Sequence, residues 1–226
     1  PGSRLVVGLA TPGLAGLTAV DHLTRTDARE VGHVAAAGLP SVTPFTDGVP
    51  RHPSRLYALP AADLTVLVSE VVVPPTATAA LADALTAFAD EAGVAEVTVL
   101  HGVPYPHGPS EHAVFHVATE AYRERRLGDR LPPLGGGSLD GLPGDLLRRA
   151  LDDGPPTGVL VTPAHLPGPD FEAAIRLLDA VEDLFGAATD ADDLRERSAA
   201  TRAQYEGLAD RMRAMADSET ADRMYE

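Results

Sequence analysis

Short apolar runs recur along the chain at residues 5–7, 31–35, 64–68, 97–100, 114–118 and 159–161, most of them apolar on consecutive positions. A half-exposed strand alternates in polarity, whereas a continuous apolar run of this length suits a strand covered on both faces. Between the runs the period changes to that of a helix. Over 76–92, Leu81, Leu85, Phe88 and Ala92 share one face, after Pro74 and Pro75 and before Gly93. The spacing predicts an amphipathic helix with a proline start and a glycine stop. A second begins near Pro169, carries Phe171, Ile175, Leu178 and Phe185 on one stripe, and stops at Gly186. Buried strands alternating with such helices predict the α/β class: a three-layer α/β/α sandwich with a mostly parallel or mixed sheet.

From Asp190 the pattern changes. Leu194, Ser198, Thr201, Tyr205, Leu208, Met212 and Met215 follow each other at intervals of four and three, apolar in the second half and polar in the first. The expected organisation is an α/β domain over 1–188, a C-terminal helix over 189–216, and a mobile tail over 217–226, where no core-forming pattern remains.

Composition narrows the function classes. The 226 residues include no cysteine, which excludes disulfides, thiolate catalysis and thiolate metal sites. All 18 basic residues are arginine, against 33 Asp plus Glu, for a net charge of -15. The local basic knots, Arg123, Arg125, Arg126 and Arg130, then Arg148 and Arg149, are too small for a nucleic-acid footprint. An acidic, lysine-free surface suits a high-salt cytoplasm, where screening suppresses self-repulsion. No apolar run has the length of a membrane span and no basic stretch leads into an apolar signal core, so a cytoplasmic location is expected.

Four features suggest chemistry. Gly8 to Gly16, including Pro12 and Gly13, follows a strand and opens a helix, as a phosphate-binding turn would. Pro12 removes an N–H, the next run ends in Ala35, Ala36, Ala37 and Gly38 without a ribose-binding acid, and no Walker lysine exists, so a tight packing turn is the better reading. His101, His107, His112 and His116 lie close in sequence, but the stretch around Val114 and Phe115 is strand-like, which breaks the helical ligand spacing, and no metal site is expected. Ser69 and Glu70 end the most apolar strand, where α/β sheets place ligands, without a Gly-x-Ser-x-Gly elbow. Gly135, Gly136 and Gly137, before Ser138, could cradle an anion at a helix starting near Leu142, though a flexible connection accounts for them as well.

The sequence ends in Met224, Tyr225 and Glu226. A tyrosine supplies rigid apolar area with a polar tip, and a terminal carboxylate offers an ion pair to a cationic pocket.

Taken end to end, the sequence resembles the PAC2 (proteasome assembly chaperone 2) family in its archaeal form. The resemblance is carried by Leu5 to Gly16, Leu64 to Glu70, the Val97-to-Pro104 stretch, His116 to Thr119, the loop from Gly135 to Gly144, and Asp170 to Leu184. It implies a nucleoside-phosphorylase-like fold without a shared active site and without a cofactor. It also implies ATP-independent docking of Met224, Tyr225 and Glu226 into the α-ring of the 20S core particle, as assembly chaperone or gate-opening adaptor. A homo-oligomer would present several tails together. His101 departs from the small residue usual before the Gly-Val-Pro turn. The alternative is a hydrolase or phosphorylase-like enzyme with a cleft near Gly13, Ser69, Glu70 and Gly102.

Overall fold

The computed structural model describes residues 1–25, 27–104, 108, 111–166, 168–201 and 203. They divide into two compact units, Pro1–Thr189 and Asp190–Glu226. The first is built on a seven-stranded mixed sheet of β1 (Arg4–Leu9), β2 (Arg29–His33), β5 (Ser54–Leu59), β6 (Leu64–Ser69), β7 (Glu96–Val103), β8 (Phe115–Ala118) and β9 (Thr157–Pro163). The spatial order is β2-β5-β6-β1-β7-β9-β8, and the short β3 (Phe45–Thr46) and β4 (Val49–Pro50) form a separate hairpin. The central β1 runs parallel to β6 and to β7, and β9 continues parallel to β7. The outer pairings, β2 with β5, β5 with β6 and β8 with β9, are antiparallel.

Helices cover both faces. Leu5, Val7, Leu9, Val97, Val99, Val159 and Val161 pack on Leu81 and Leu85 of α2 (Thr78–Ala92) and on Leu142 and Leu146 of α4 (Gly141–Asp152). Because side chains alternate along a strand, Val6, Thr98 and Leu160 face the other layer. That layer pairs α1 (Ala15–Leu23) with α5 (Phe171–Phe185) and adds α3 (Glu120–Tyr122), which continues as one π-helical turn over Arg123–Leu127. The helix stops are as the glycines imply: Gly93 and Gly186 take φ of 67° and 68° at the ends of α2 and α5.

Three elements differ from the sequence expectation. The second strand is Arg29–His33 rather than 31–35, and most of it is exposed, because it is a sheet edge and not an inner strand. Strand β5 carries Arg55 and Tyr57 where an inner strand would be apolar, and so escapes a search for apolar runs. Helix α3 runs directly into the arginine knot, whose Arg126 reaches Glu96 at 2.6 Å and lies over the Phe185 ring at 5.0 Å.

In the second unit, residues 192–201 are helical, with the Asp190 carboxylate accepting the Asp192 N–H at 3.0 Å and Arg195 paired with Asp192 at 2.9 Å. The tail over 217–226 lies outside the described residues.

Candidate functional site

At the carboxyl edge of the sheet, the turn from β1 into α1 meets the end of β7. Gly13 has φ of 72°, and a Cβ there would lie 2.9 Å from the Ala164 Cβ. A Cβ on Gly102 would lie 3.0 Å from the same Ala164 atom and 3.2 Å from the Pro12 carbonyl oxygen. Gly13 and Gly102 are therefore brought together, through Ala164, by backbone packing. Deeper in the same turn, a Cβ on Gly8 would fall 2.4 Å from the Gly16 oxygen, and one on Gly16 would fall 2.2 Å from the Leu100 oxygen. Glycine here allows helix and strand backbones to touch.

Asp170 ties this corner down. Its N–H donates to the Gly13 oxygen at 2.8 Å, and its carboxylate accepts the Ala173 N–H at 2.9 Å as the cap of α5. It also accepts the His165 N–H at 2.8 Å and the His165 Nδ1 at 2.7 Å. Burial alone would raise the carboxyl pKa, but these donors hold it below the ordinary aspartate value. His112 stands edge-on to His165, with ring centres 5.4 Å apart.

Ser69 and Glu70 lie two strands away from Gly102. Ser69 is fully buried at the end of β6, opposite Leu9, with its Oγ 2.8 Å from the Ser54 Oγ. Glu70 accepts Arg55 Nη2 at 2.6 Å and Arg51 Nη2 at 3.0 Å. Arg55 is only 1% exposed, yet its pKa is raised: burial pulls it down, and the contacts to Glu70 and Tyr57 outweigh that.

The histidines do not converge. His101 registers with Val161 and His116 with Leu160, adjacent residues of β9, so the two rings lie on opposite faces of the sheet. His116 Nδ1 is 3.0 Å from the Leu131 oxygen, while His101 Nδ1 is buried without a hydrogen-bond partner among the described residues. Burial holds both imidazoles below their ordinary pKa, opposed at His101 by the Asp140 charge. His107 lies outside the described residues. Among the described residues no group of three or more His, Asp or Glu side chains has metal-holding geometry.

The glycine loop borders a cavity of about 730 Å³. Phe115, Val117 and Val161 form its floor, Leu147 and Leu151 its α4 wall, and Gly135 to Gly137 its opposite side. Met224, Tyr225 and Glu226 lie outside the described residues.

Residues 5–209 match the model of the PAC2 family. The chain belongs to that family. Among solved structures of similar fold is PbaA of Pyrococcus furiosus, an archaeal homolog of proteasome-assembly chaperone, at TM-score 0.82 and 20% identity over 99% of this chain and 93% of the other. PbaB of the same organism, an archaeal proteasome activator, gives 0.76 and 22% over 92% and 93%. A protein of unknown function from Thermoplasma acidophilum gives 0.77 and 22% over 97% and 91%. No curated protein matches the chain. The PAC2 fold thus accounts for the whole of β1 to α5.

Two features of this PAC2 chain were not singled out from sequence. The Asp170–His165 contact had one available signal, an aspartate just after Pro169 at the start of a predicted helix. The partnership of Arg55 with Glu70 had none, since Arg55 lies on β5 and Glu70 follows the end of β6, fifteen residues on.

Proposed function

We propose that this chain is a non-enzymatic, ATP-independent partner of the 20S proteasome core particle, acting as assembly chaperone or gate-opening adaptor through Met224, Tyr225 and Glu226. The observation that carries this reading is PAC2 membership together with the fold shared with PbaA, an archaeal homolog of proteasome-assembly chaperone, and PbaB, an archaeal proteasome activator. The docking chemistry we propose for the tripeptide is an aromatic anchor, Tyr225, beside a carboxylate at Glu226 that would pair with a cationic pocket.

The residues on which a hydrolase reading would rest are engaged elsewhere. Ser69 is sealed against Ser54, Glu70 is committed to Arg51 and Arg55, and Gly13 and Gly102 serve packing. These engagements support the binding reading over the enzymatic one.

A three-residue anchor binds weakly alone, so the reading includes a cytoplasmic homo-oligomer that presents several tails at once. Exposed apolar side chains support an interface, with Phe45 at 73% and Val49 at 65% exposure on the β3–β4 hairpin. The test is co-sedimentation of purified core particle with the full chain and with a chain ending at Arg223. Binding by the first and not the second is expected. Equal binding, or none by either, removes the docking reading.

A further inference from the structure

The cavity beside the glycine loop has mostly apolar walls, with Glu111, Ser138 and Arg148 as the polar side chains of its lining. Its volume of about 730 Å³ falls within the range of small-molecule sites. The floor is the outer end of the sheet, where β9 and the edge strand β8 run past the cover that α2 gives the inner strands. Phe115 and Val117 are consequently only half-buried. The loop opposite presents no side chains at Gly135 and Gly136, and a Cβ at either would meet nothing within 4 Å. The glycines are therefore not required by packing, and they leave one flank of the cavity as open space.

One cation stands on the lining. Arg148 is 62% exposed, and its described partners are Asp145 and Asp152, each at 3.9 Å, too long for a hydrogen bond. By contrast the next residue, Arg149, is locked to Asp83 at 2.6 Å. Arg148 also lines the neighbouring polar cleft with Asp140 and Asp145, so it stands where an apolar chamber opens to a polar one. A guanidinium whose carboxylate neighbours stand too far for short hydrogen bonds keeps donors for bidentate pairing with an anionic group, against the repulsion of Asp145 and Asp152.

We propose that this cavity binds a small amphiphile, an apolar body lying between β8 and α4 and an anionic end paired with Arg148. The apolar lining selects the body and the under-coordinated guanidinium selects the end. Leu151, 76% exposed on the lip, is the contact such a body would cover.

Dodecanoate and dodecan-1-ol, both kept below aggregation, are the probes, read by displacement of the fluorescent 8-anilinonaphthalene-1-sulfonate from the full chain. Saturable one-to-one displacement by dodecanoate is expected, with the alcohol weaker. Val117→Trp, which fills the floor, should reduce both by roughly tenfold. Arg148→Gln should reduce dodecanoate by roughly fivefold or more and leave the alcohol unchanged. Leu151→Glu, on the exposed lip where folding is insensitive, should selectively weaken dodecanoate as well, and it keeps the test open if Val117→Trp fails to fold. Non-saturable displacement, equal losses of both probes in Arg148→Gln, or unchanged affinities in all three variants would overturn the assignment. So would binding that vanishes as protein concentration rises and copies associate, since the cavity would then be a contact between subunits.

Discussion

The Arg55 guanidinium meets the Glu70 carboxylate at 2.6 Å across the β5–β6 pair, inside a sheet that leaves the arginine almost no exposure. Removing the carboxylate strands a buried cation. Glu70→Ala should cost about 2–4 kcal/mol in urea unfolding, tempered by the remaining bonds from Arg55 to the Tyr57 hydroxyl at 2.9 Å and to the His52 carbonyl oxygen at 2.5 Å. Glu70→Gln should cost less, because an amide oxygen still accepts. A neutral Glu70→Ala would mean that this pair contributes nothing to the fold.

Helix α1 approaches the sheet too closely for a side chain at Gly16. With the Leu100 oxygen 2.2 Å from a Cβ there, Gly16→Ala should destabilise by about 3 kcal/mol. Gly102→Ala, whose nearest contact is an Ala164 methyl at 3.0 Å, should cost nearer 1 kcal/mol. Thermal denaturation of the two variants, compared at equal salt, checks the order.

His101 is held neutral by burial, so protonation opposes folding. Its folded pKa lies below the ordinary imidazole value, hence its contribution is intact above about pH 6.5 and is lost as pH falls through the folded value. His116 adds in the same direction, and Asp170 adds a further loss lower, in the carboxylate range. His101→Leu should remove the unsatisfied Nδ1, stabilise by about 1 kcal/mol, and flatten the stability profile between roughly pH 7 and 5. A slope unchanged from wild type in a denaturant titration across that interval would contradict this.

In core-particle binding, Tyr225→Ala should lose at least roughly tenfold with unchanged folding, since the ring is the largest apolar surface of the tripeptide. On the proposed docking, adding residues after Glu226 should be nearly as damaging, because it would displace the terminal carboxylate from the cation it is proposed to meet. Met224→Ala should be milder. A surface-binding titration in which Tyr225→Ala equals wild type would move the interaction to the globular unit.

With 33 carboxylates against 18 guanidinium groups, the melting temperature should rise by several degrees from about 0.1 M to about 3 M KCl as self-repulsion is screened. A flat profile would mean that the acidity has no bearing on salt tolerance.

The class of the fold and four of its inner strands were legible because a strand covered on both faces must be apolar throughout. What escaped notice was polar and buried. Strand β5 hides behind Arg55, whose charge is matched by Glu70, just past the end of the neighbouring strand. Helix α3 hides just ahead of an arginine-rich segment, although its Tyr122 is fully buried with its hydroxyl 2.6 Å from Thr98 Oγ1. A linear pattern records what each residue prefers alone, and these positions are decided by partners supplied from elsewhere. At the sheet edge, the sequence marked Gly13, Gly102, Ser69 and Glu70 as notable. Their division into a packed glycine pair and a separate polar cluster depends on strand order, which no local pattern encodes.

That strand order also sets a schedule. Strand β1 forms the middle of the sheet, with Leu5 registered against Thr65 on one side and Val97 on the other. During synthesis β1 leaves the ribosome long before either neighbour exists. Its apolar residues must wait until β6, α2 and β7 have been made, and the sheet can close only around a strand that has spent that interval unpaired. Until those segments are made, Leu5, Val6 and Val7 have no sheet to enter and stay open to contact with other chains.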